Sequence, residues 1–303
     1  MLKLEEKNLT ILKYATSIIA LLIIFTLILI FNRFGEIPYS PLTTPDDWRA
    51  MQPYLELTIF SNTIIFVQPT STFFVYFLGV LTIAIGLQII RIRDGHKSRL
   101  WWGIALLLWG AGALFAGTSY QAFSYELKCA GRAFCLWTSW WEVVYLMLSA
   151  GSVNAMMMAQ AHSCATEKWR KVMSIYAFVN MVLYIALTLI GALIPIEFLI
   201  SFELMLIFFA PNILLFFIIN SWRYYQNKKR MDIALLGVWV SLLIILAAYY
   251  IYFLLGITET LWEHGVWFSE NDVLHIGLIV WMLYISLIVA RHVKDITRTS
   301  LAN

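Results

Sequence analysis

Uninterrupted apolar segments of about 20 residues recur along this 303-residue chain. A helix of that length crosses roughly 30 Å of hydrocarbon at about 1.5 Å per residue. Apolar residues make up 61% of the chain and charged residues 13%, against about 25% charged in soluble domains. The strands of a membrane barrel would alternate apolar and polar residues, which these segments do not. The sequence therefore predicts an all-α integral membrane protein.

Eight transmembrane helices are predicted, an extra N-terminal helix followed by a seven-helix core. We expect one polytopic membrane domain over residues 1–303, with the first helix and an outer loop in residues 1–70 and the core in residues 71–303. Five prolines between Gly35 and Thr70 predict an extramembrane stretch, whose apolar part Tyr54–Val67 is expected to lie against the bilayer surface. The predicted helices are Ile11–Phe31, Ser71–Ile90, Leu100–Phe123, Thr138–Met158, Val172–Ile194, Glu197–Ser221, Met231–Ile257 and Asp272–Ala290.

The distribution of lysine and arginine predicts the orientation. With the N-terminus inside, 17 of the 21 basic residues fall in cytoplasmic segments, as the positive-inside rule requires. Only an even number of spans gives this division, so both termini are predicted to be cytoplasmic, in the plasma (cytoplasmic) membrane. Because the positive charge belongs to these flanks, no nucleic-acid partner is expected.

Two of the three cysteines fall in one short outer loop. Cys129 and Cys135 lie six residues apart between the third and fourth predicted helices, on the oxidising side of the membrane, where disulfides form. This placement predicts a disulfide. Two unpaired thiols are the alternative.

Ionisable residues inside the spans are few, and each is costly in lipid and therefore a functional candidate. Glu142, Glu203, Asp272 and His275 all fall near the outer ends of the fourth, sixth and eighth predicted helices. Ser119, Tyr120 and Gln121 end the third helix at the same side. Together these residues predict a polar pocket open to the outer face. Side chains that reach to the headgroups, or that pair for packing, are the alternative.

One face of the eighth predicted helix concentrates several of these groups. Asn271, Asp272 and His275 are spaced to share that face. The spacing would let a carboxylate orient the imidazole, or let both contact one ion.

The outer ends of these helices resemble the alkaline-ceramidase superfamily of seven-helix membrane hydrolases. Its members carry Ser-x3-His late in core helix two, a carboxylate on helix three and His-x3-His early in helix seven, and the three histidines bind zinc. Ser119 matches the serine, Glu142 the carboxylate and His275 the last histidine, while Phe123 and Asn271 replace the other two histidines. The matching stretches are GTSYQAF (Gly117–Phe123), WWEVVYL (Trp140–Leu146) and ENDVLHIGLIVW (Glu270–Trp281).

The resemblance implies a seven-helix core and a hydrolytic site. Ser119, Glu142 and His275 would be its catalytic residues, and zinc its cofactor. Gln121 and Glu270 would supply oxygen ligands beside His275.

Three functions fit the sequence. The first is a divergent or inactive metal-dependent hydrolase that acts on a lipid amide or ester. The second is a transporter or receptor for an ion or small solute. The third is a non-catalytic subunit with a membrane-protein partner. All three place the chain in contact with the lipid bilayer.

Overall fold

A computed structural model of the chain describes residues 37–296 except Tyr39. Within these residues, seven helices are long and apolar enough to cross a membrane, which agrees with the predicted all-α membrane protein. The predicted helix Ile11–Phe31 lies outside the described residues. In chain order the elements are α1 (Pro45–Ala50), β1 (Tyr54–Ile59), β2 (Asn62–Val67), α2 (Pro69–Arg91), α3 (Lys97–Ala116, continued by the π-helical turn Gly117–Ala122), α4 (Ser124–Lys128), α5 (Trp140–Cys164), α6 (Glu167–Leu193), a 3-10 turn (Glu197–Ile200), α7 (Phe202–Asn227), α8 (Arg230–Leu254), α9 (Ile257–Glu263), α10 (Glu270–Tyr284, continued by the π-helical turn Ile285–Val289) and α11 (Ala290–His292).

Most of the long helices extend past at least one end of the apolar segment that predicts them. The helix predicted from Glu197, however, begins at Phe202 after a 3-10 turn, and the one predicted to end at Ile257 ends at Leu254. The helix predicted over Thr138–Met158 runs to Cys164, and the one predicted from Val172 begins at Glu167. Backbone hydrogen bonding continues into the polar boundary, where no apolar run marks it. Apolar runs therefore locate each span but not its ends.

A β-hairpin distinguishes one end of the helix bundle, which we call the hairpin end. The opposite end, where Arg91 ends α2 and Lys97 and Arg230 begin α3 and α8, is called the basic end. Strands β1 and β2 pair antiparallel around Phe60 and Ser61, and both turn residues have positive φ values. Ile65 and Val67 of β2 are buried with Trp48. The stretch predicted to lie on the bilayer surface is thus a folded hairpin.

Glycines bring α2 and α3 into close contact. A Cβ atom at Gly110 would lie 2.7 Å from the Gly79 carbonyl oxygen, and one at Gly103 would lie 2.9 Å from the Gly86 carbonyl oxygen. Helices in lipid associate through close packing, which small residues permit. These two glycine pairs hold α2 and α3 side by side along most of their length.

Helix α5 is the most buried of the seven long helices. Helix α5 packs on α3, α6 and α7, whereas α10 packs on α2 and α8. Trp239 stacks between Trp102 and Phe216 with ring centroids 6.3 and 4.6 Å away. Because α5 and α10 have different neighbours, residues at the same depth on these two helices need not meet.

Candidate functional site

A cavity of about 440 Å³ opens at the hairpin end. Its polar lining includes Tyr120, Lys128, Thr138, Glu142 and Glu203. This volume lies within the range of small-molecule sites, about 300–1,000 Å³. The cavity is therefore large enough to hold a small-molecule ligand.

A buried ion pair forms one wall of the cavity. The Lys128 Nζ atom lies 2.6 Å from Glu142 Oε1, and their side chains are only 9% and 4% exposed. Thr138 Oγ1 donates a hydrogen bond of 2.9 Å to the other carboxylate oxygen of Glu142. Lys128 Nζ also lies 5.3 Å from the centre of the Tyr120 ring, within cation–π range. The charge of Glu142 is thus already compensated.

A disulfide constrains the loop that positions Lys128 at the cavity. Cys129 and Cys135 are bonded, as the sequence predicts, and both are buried beneath the hairpin. The Leu136 amide donates a hydrogen bond of 2.9 Å to the Lys128 carbonyl oxygen. The covalent link and this hydrogen bond fix the backbone of Lys128 above α5.

Glu203 adds a second carboxylate to the cavity. It lies in the first turn of α7, where Ser201 caps the helix by accepting a hydrogen bond from the Leu204 amide. Glu203 is exposed, and among the described residues it makes no ion pair. Because Lys128 balances Glu142, Glu203 leaves the lining with one net negative charge.

Aromatic rings surround these carboxylates. Trp48, Trp137, Trp262 and Phe202 line the cavity with Tyr120. Helix α1 places Trp48 against Tyr125, with ring centroids 6.0 Å apart. The faces of aromatic rings attract cations, tryptophan most strongly. The cavity therefore combines a net negative charge with several aromatic rings in its lining.

Two glutamines complete the rim at the hairpin. Gln68 Nε2 donates a hydrogen bond of 3.0 Å to Gln52 Oε1 across the base of the hairpin. Both side chains line the cavity. The hairpin and α1 thus form a cap over the helix bundle.

Three of the predicted pocket residues come together at this cavity: Glu142, Glu203 and Tyr120. Two neighbours of Tyr120 do not line it. The Ser119 hydroxyl donates to the Phe115 carbonyl oxygen at 2.9 Å, within its own helix. Gln121 is buried, with a side-chain oxygen that has no protein partner.

The acidic residues that begin α10 serve local structure. Asp272 forms a capping box with Ser269, accepting hydrogen bonds from the Ser269 amide and hydroxyl at 2.6 and 3.1 Å. Thr70 of α2 donates to the same carboxylate oxygen at 3.4 Å. Glu270 accepts a hydrogen bond from the Thr258 hydroxyl. These contacts tie the start of α10 to α2 and α9.

His275 is buried on α10 and does not line the cavity. Its Nδ1 atom has no protein hydrogen-bond partner, and the half-buried Asn271 one turn earlier is likewise away from the cavity. His275 and Glu142 have similar depths along their helices, and the sequence therefore predicts that they share a layer. Because α10 packs against α2 and α8, however, the surroundings of His275 differ from those of Glu142. The common site predicted for Glu142 and His275 is not formed at the cavity.

The zinc site predicted from His275, Glu270 and Gln121 has no ligand cluster to support it. In residues 37–296 without Tyr39, no three His, Cys, Asp or Glu side chains come close enough to hold a metal ion. Hydrolytic zinc sites use three protein ligands and one open position. The metal site stays a prediction from the resemblance.

Sequence reasoning did not identify Lys128 and Trp48 as site residues. Lys128 reads as a solvated loop lysine, and Trp48 as part of a proline-rich segment. The sequence signal for Lys128 was its position directly before Cys129. A loop closed by a disulfide has few conformations, and this loop lies over the helix that carries Glu142.

Comparison with known proteins identifies a family for most of the chain. The model of a family described as a family of unknown function, DUF6962, matches residues 70–294. The match covers the seven long helices and leaves out the hairpin and α1. No curated protein and no solved structure matches the chain.

Proposed function

The chain belongs to the DUF6962 family, and we propose that it binds a small organic cation in the cavity at the hairpin end. The observation that carries this proposal is Glu203, a carboxylate without an ion-pair partner among the described residues, facing a cavity lined by aromatic rings. An ammonium group would gain both a charge partner and the ring faces.

The hairpin end is proposed to face the non-cytoplasmic side of the plasma membrane. Most lysines and arginines fall at the opposite end, where the positive-inside rule places them in the cytoplasm. The Cys129–Cys135 disulfide belongs to an oxidising compartment. With the predicted N-terminal helix as an eighth span, both termini are cytoplasmic. The ligand would therefore arrive from outside the cell.

A receptor-like or binding role is favoured over transport. The cavity lies at the hairpin end, and the core of the opposite half contains the stacked rings of Trp102, Trp239 and Phe216. A transporter in this conformation would have to move these side chains to open a path.

The lipid hydrolase implied by the resemblance is not our proposal. That reaction needs an activated water between Glu142 and a metal-bound His275. Of the three predicted catalytic residues, the cavity contains Glu142 alone, and Lys128 neutralises it. The subunit hypothesis has no specific observation in its favour.

Binding of tetramethylammonium, choline and acetate to the purified protein in lipid nanodiscs tests the proposal. We expect the two cations, and not acetate, to bind and to raise the unfolding temperature. Glu203→Gln should weaken cation binding by roughly tenfold, equivalent to about 1.4 kcal/mol, because it removes the unpaired charge.

Glu197→Gln is the matched control. Glu197 is an exposed carboxylate in the 3-10 turn at the same end, and it does not line the cavity. Its replacement should leave binding unchanged. Equal losses in the two variants, or binding of acetate in preference to the cations, would overturn the proposal.

A further inference from the structure

A line of apolar side chains runs along one side of α6 toward the hairpin end. Ile175, Phe178 and Val182 are 54%, 70% and 50% exposed, and Leu189 continues the line. Successive members are three, four and seven residues apart, which keeps them on one side of a helix. Together with α7, α6 is the least buried of the seven long helices. The described residues therefore leave this side of α6, which we call the α6 stripe, largely uncovered.

The first described residue, Ile37, is fixed beside the end of this stripe. Ile37 is 6% exposed and belongs to one apolar cluster with Val143 of α5 and Ala192 of α6. Leu189 of the α6 stripe packs against the same cluster. The Ile37 carbonyl oxygen accepts a hydrogen bond of 2.9 Å from the Trp137 amide. The chain before Ile37 therefore starts from the hairpin end of α5 and α6.

The chain before Ile37 has a suitable length to follow the α6 stripe. The helix predicted over Ile11–Phe31 would be about 30 Å long at about 1.5 Å per residue. Ile37 comes six residues after Phe31, and an extended chain of that length spans at most about 20 Å. The predicted helix must therefore end within that distance of the hairpin end of α6. Packed helices lie about 8–10 Å apart, so α6 is within its reach.

Small residues of the predicted helix match the large exposed side chains of α6 in depth. Thr16 and Ala20 are four residues apart and would share one side of a helix. Counted back from Phe31, they lie about 23 and 17 Å from the hairpin end. Counted back from the end of α6, Phe178 and Val182 lie at the same two depths, about 23 and 17 Å. Small residues on one helix let large side chains of another approach closely in lipid.

We propose that the segment Ile11–Phe31 docks as a helix along the α6 stripe, parallel to α6, with Thr16 and Ala20 facing Phe178 and Val182. The short connection to Ile37 makes this docking intramolecular, which favours it over a second copy of the chain. Helix α7 is as exposed as α6, but among the described residues none of its side chains belongs to the Ile37 cluster. The starting point of the chain therefore selects α6.

Disulfide cross-linking of the full-length protein in lipid nanodiscs tests this proposal, in a Cys164→Ala background. One variant combines Ala20→Cys with Val182→Cys. The matched control combines Ala20→Cys with Leu214→Cys, because Leu214 of α7 is 60% exposed and also lies about 18 Å from the hairpin end. We expect the first variant to form an intramolecular disulfide with a yield at least about tenfold higher than the control, since the bond requires Cα atoms within about 7 Å.

A second pair of cysteines tests the fit of the small residues. Thr16→Cys with Phe178→Cys should also form an intramolecular disulfide. Adding Ala20→Trp should lower its yield roughly tenfold, corresponding to about 1.4 kcal/mol of lost docking, because the bulky ring prevents close approach. Adding Leu21→Trp instead should leave the yield unchanged, because position 21 is turned by about 100° from position 20.

Three results would overturn the proposal. Equal yields for Val182 and Leu214 would mean that the segment has no preferred face. Disulfides between two chains in place of intramolecular ones would assign the stripe to a second copy. No disulfide in either α6 pair of a monodisperse protein would leave the stripe to lipid. Because the positions on α6 do not line the cation cavity, failure of the cation proposal would leave this one standing.

Discussion

The two ends of the bundle each contain a buried ion pair, but in different surroundings. At the hairpin end, Lys128 and Glu142 meet on the wall of an open cavity. At the basic end, Arg223 and Asp232 join α7 to α8, and Asp232 is completely buried. Arg223 also holds the end of α5 through the Cys164 carbonyl oxygen.

This difference shows that burial alone does not define a site. A buried charge is costly to leave unpaired in either place. The Lys128–Glu142 pair borders space that water or a ligand can enter, so its partners can change. In the Arg223–Asp232 pair only Arg223 borders open space, at an apolar groove, whereas Asp232 is completely buried between helices, so the role of this pair is to join helices.

The largest effect is expected at the basic end. Asp232→Asn leaves the Arg223 guanidinium without its carboxylate, and we expect it to lower the free energy of unfolding by about 3 kcal/mol. Reversible unfolding in mixed micelles measures the loss. Asp94→Asn removes the exposed partner of the buried Arg99, whose guanidinium still donates to the Val293 and Ile92 carbonyl oxygens, and should cost less than about 1 kcal/mol. Similar losses in both variants would show that the Arg223–Asp232 pair is not specially stabilising.

The disulfide should have the next largest effect, at the hairpin end. Replacing Cys129 and Cys135 by serine frees a short loop, and the expected loss of unfolding free energy is about 2 kcal/mol. Cation binding should weaken as well, because Lys128 would lose its fixed position. A reducing agent should reproduce both effects in the Cys164→Ala variant. If the double-serine variant binds cations with unchanged affinity, cation binding does not depend on the disulfide.

The coupling between Lys128 and Glu142 should be smaller. A double-mutant cycle with Lys128→Met and Glu142→Gln is expected to give about 1–2 kcal/mol, because the open cavity lets solvent reach the pair. The coupling should decrease at high salt, whereas that of Arg223 and Asp232 should not. A salt-independent coupling at the hairpin end would remove the distinction between the two pairs.

The smallest effect concerns the chain after α11. Partial burial acts to raise the pKa of the Asp295 carboxyl, but hydrogen bonds from Ser98 and Lys97 hold this pKa below its usual value. A lowered pKa in the folded state stabilises the protein above the usual carboxyl pKa of about 3.9, and this stabilisation is lost as the pH falls through the lower, folded value.

Asp295→Asn tests this contribution. The variant should be less stable than the wild type at pH 7 by less than about 1 kcal/mol, because the carboxylate is partly exposed. The difference in unfolding temperature should shrink as the pH falls below about 4. A difference that stays constant over that range would mean that the Asp295 charge is not involved.

The predicted seven-helix core could be obtained from the sequence because lipid makes length and apolar content decisive. The segments of α2 and α8, for example, contain few charged residues and lack the alternation of barrel strands, so a helix is the structure that satisfies their backbone in hydrocarbon. The hairpin was not predicted. Its turn at Phe60 and Ser61 lacks the glycine or asparagine that usually marks a two-residue hairpin turn.

Part of the candidate site could be predicted as well. Glu142 and Glu203 stand out because each interrupts an apolar segment, and both reach the cavity. His275 stands out for the same reason and does not. A sequence gives the depth of a residue along its helix. Which residues at the same depth come into contact depends on which helices are neighbours.

The lipid surroundings of this protein, its seven long helices and the Cys129–Cys135 disulfide could be predicted from the chain alone, because they follow from local composition and spacing. The folded arrangement was needed to show that Lys128 neutralises Glu142, that Glu203 has no ion-pair partner among the described residues and that His275 on α10 does not line the cavity. Those facts depend on contacts between segments far apart in the chain, which side-chain packing sets and apolar periodicity does not encode.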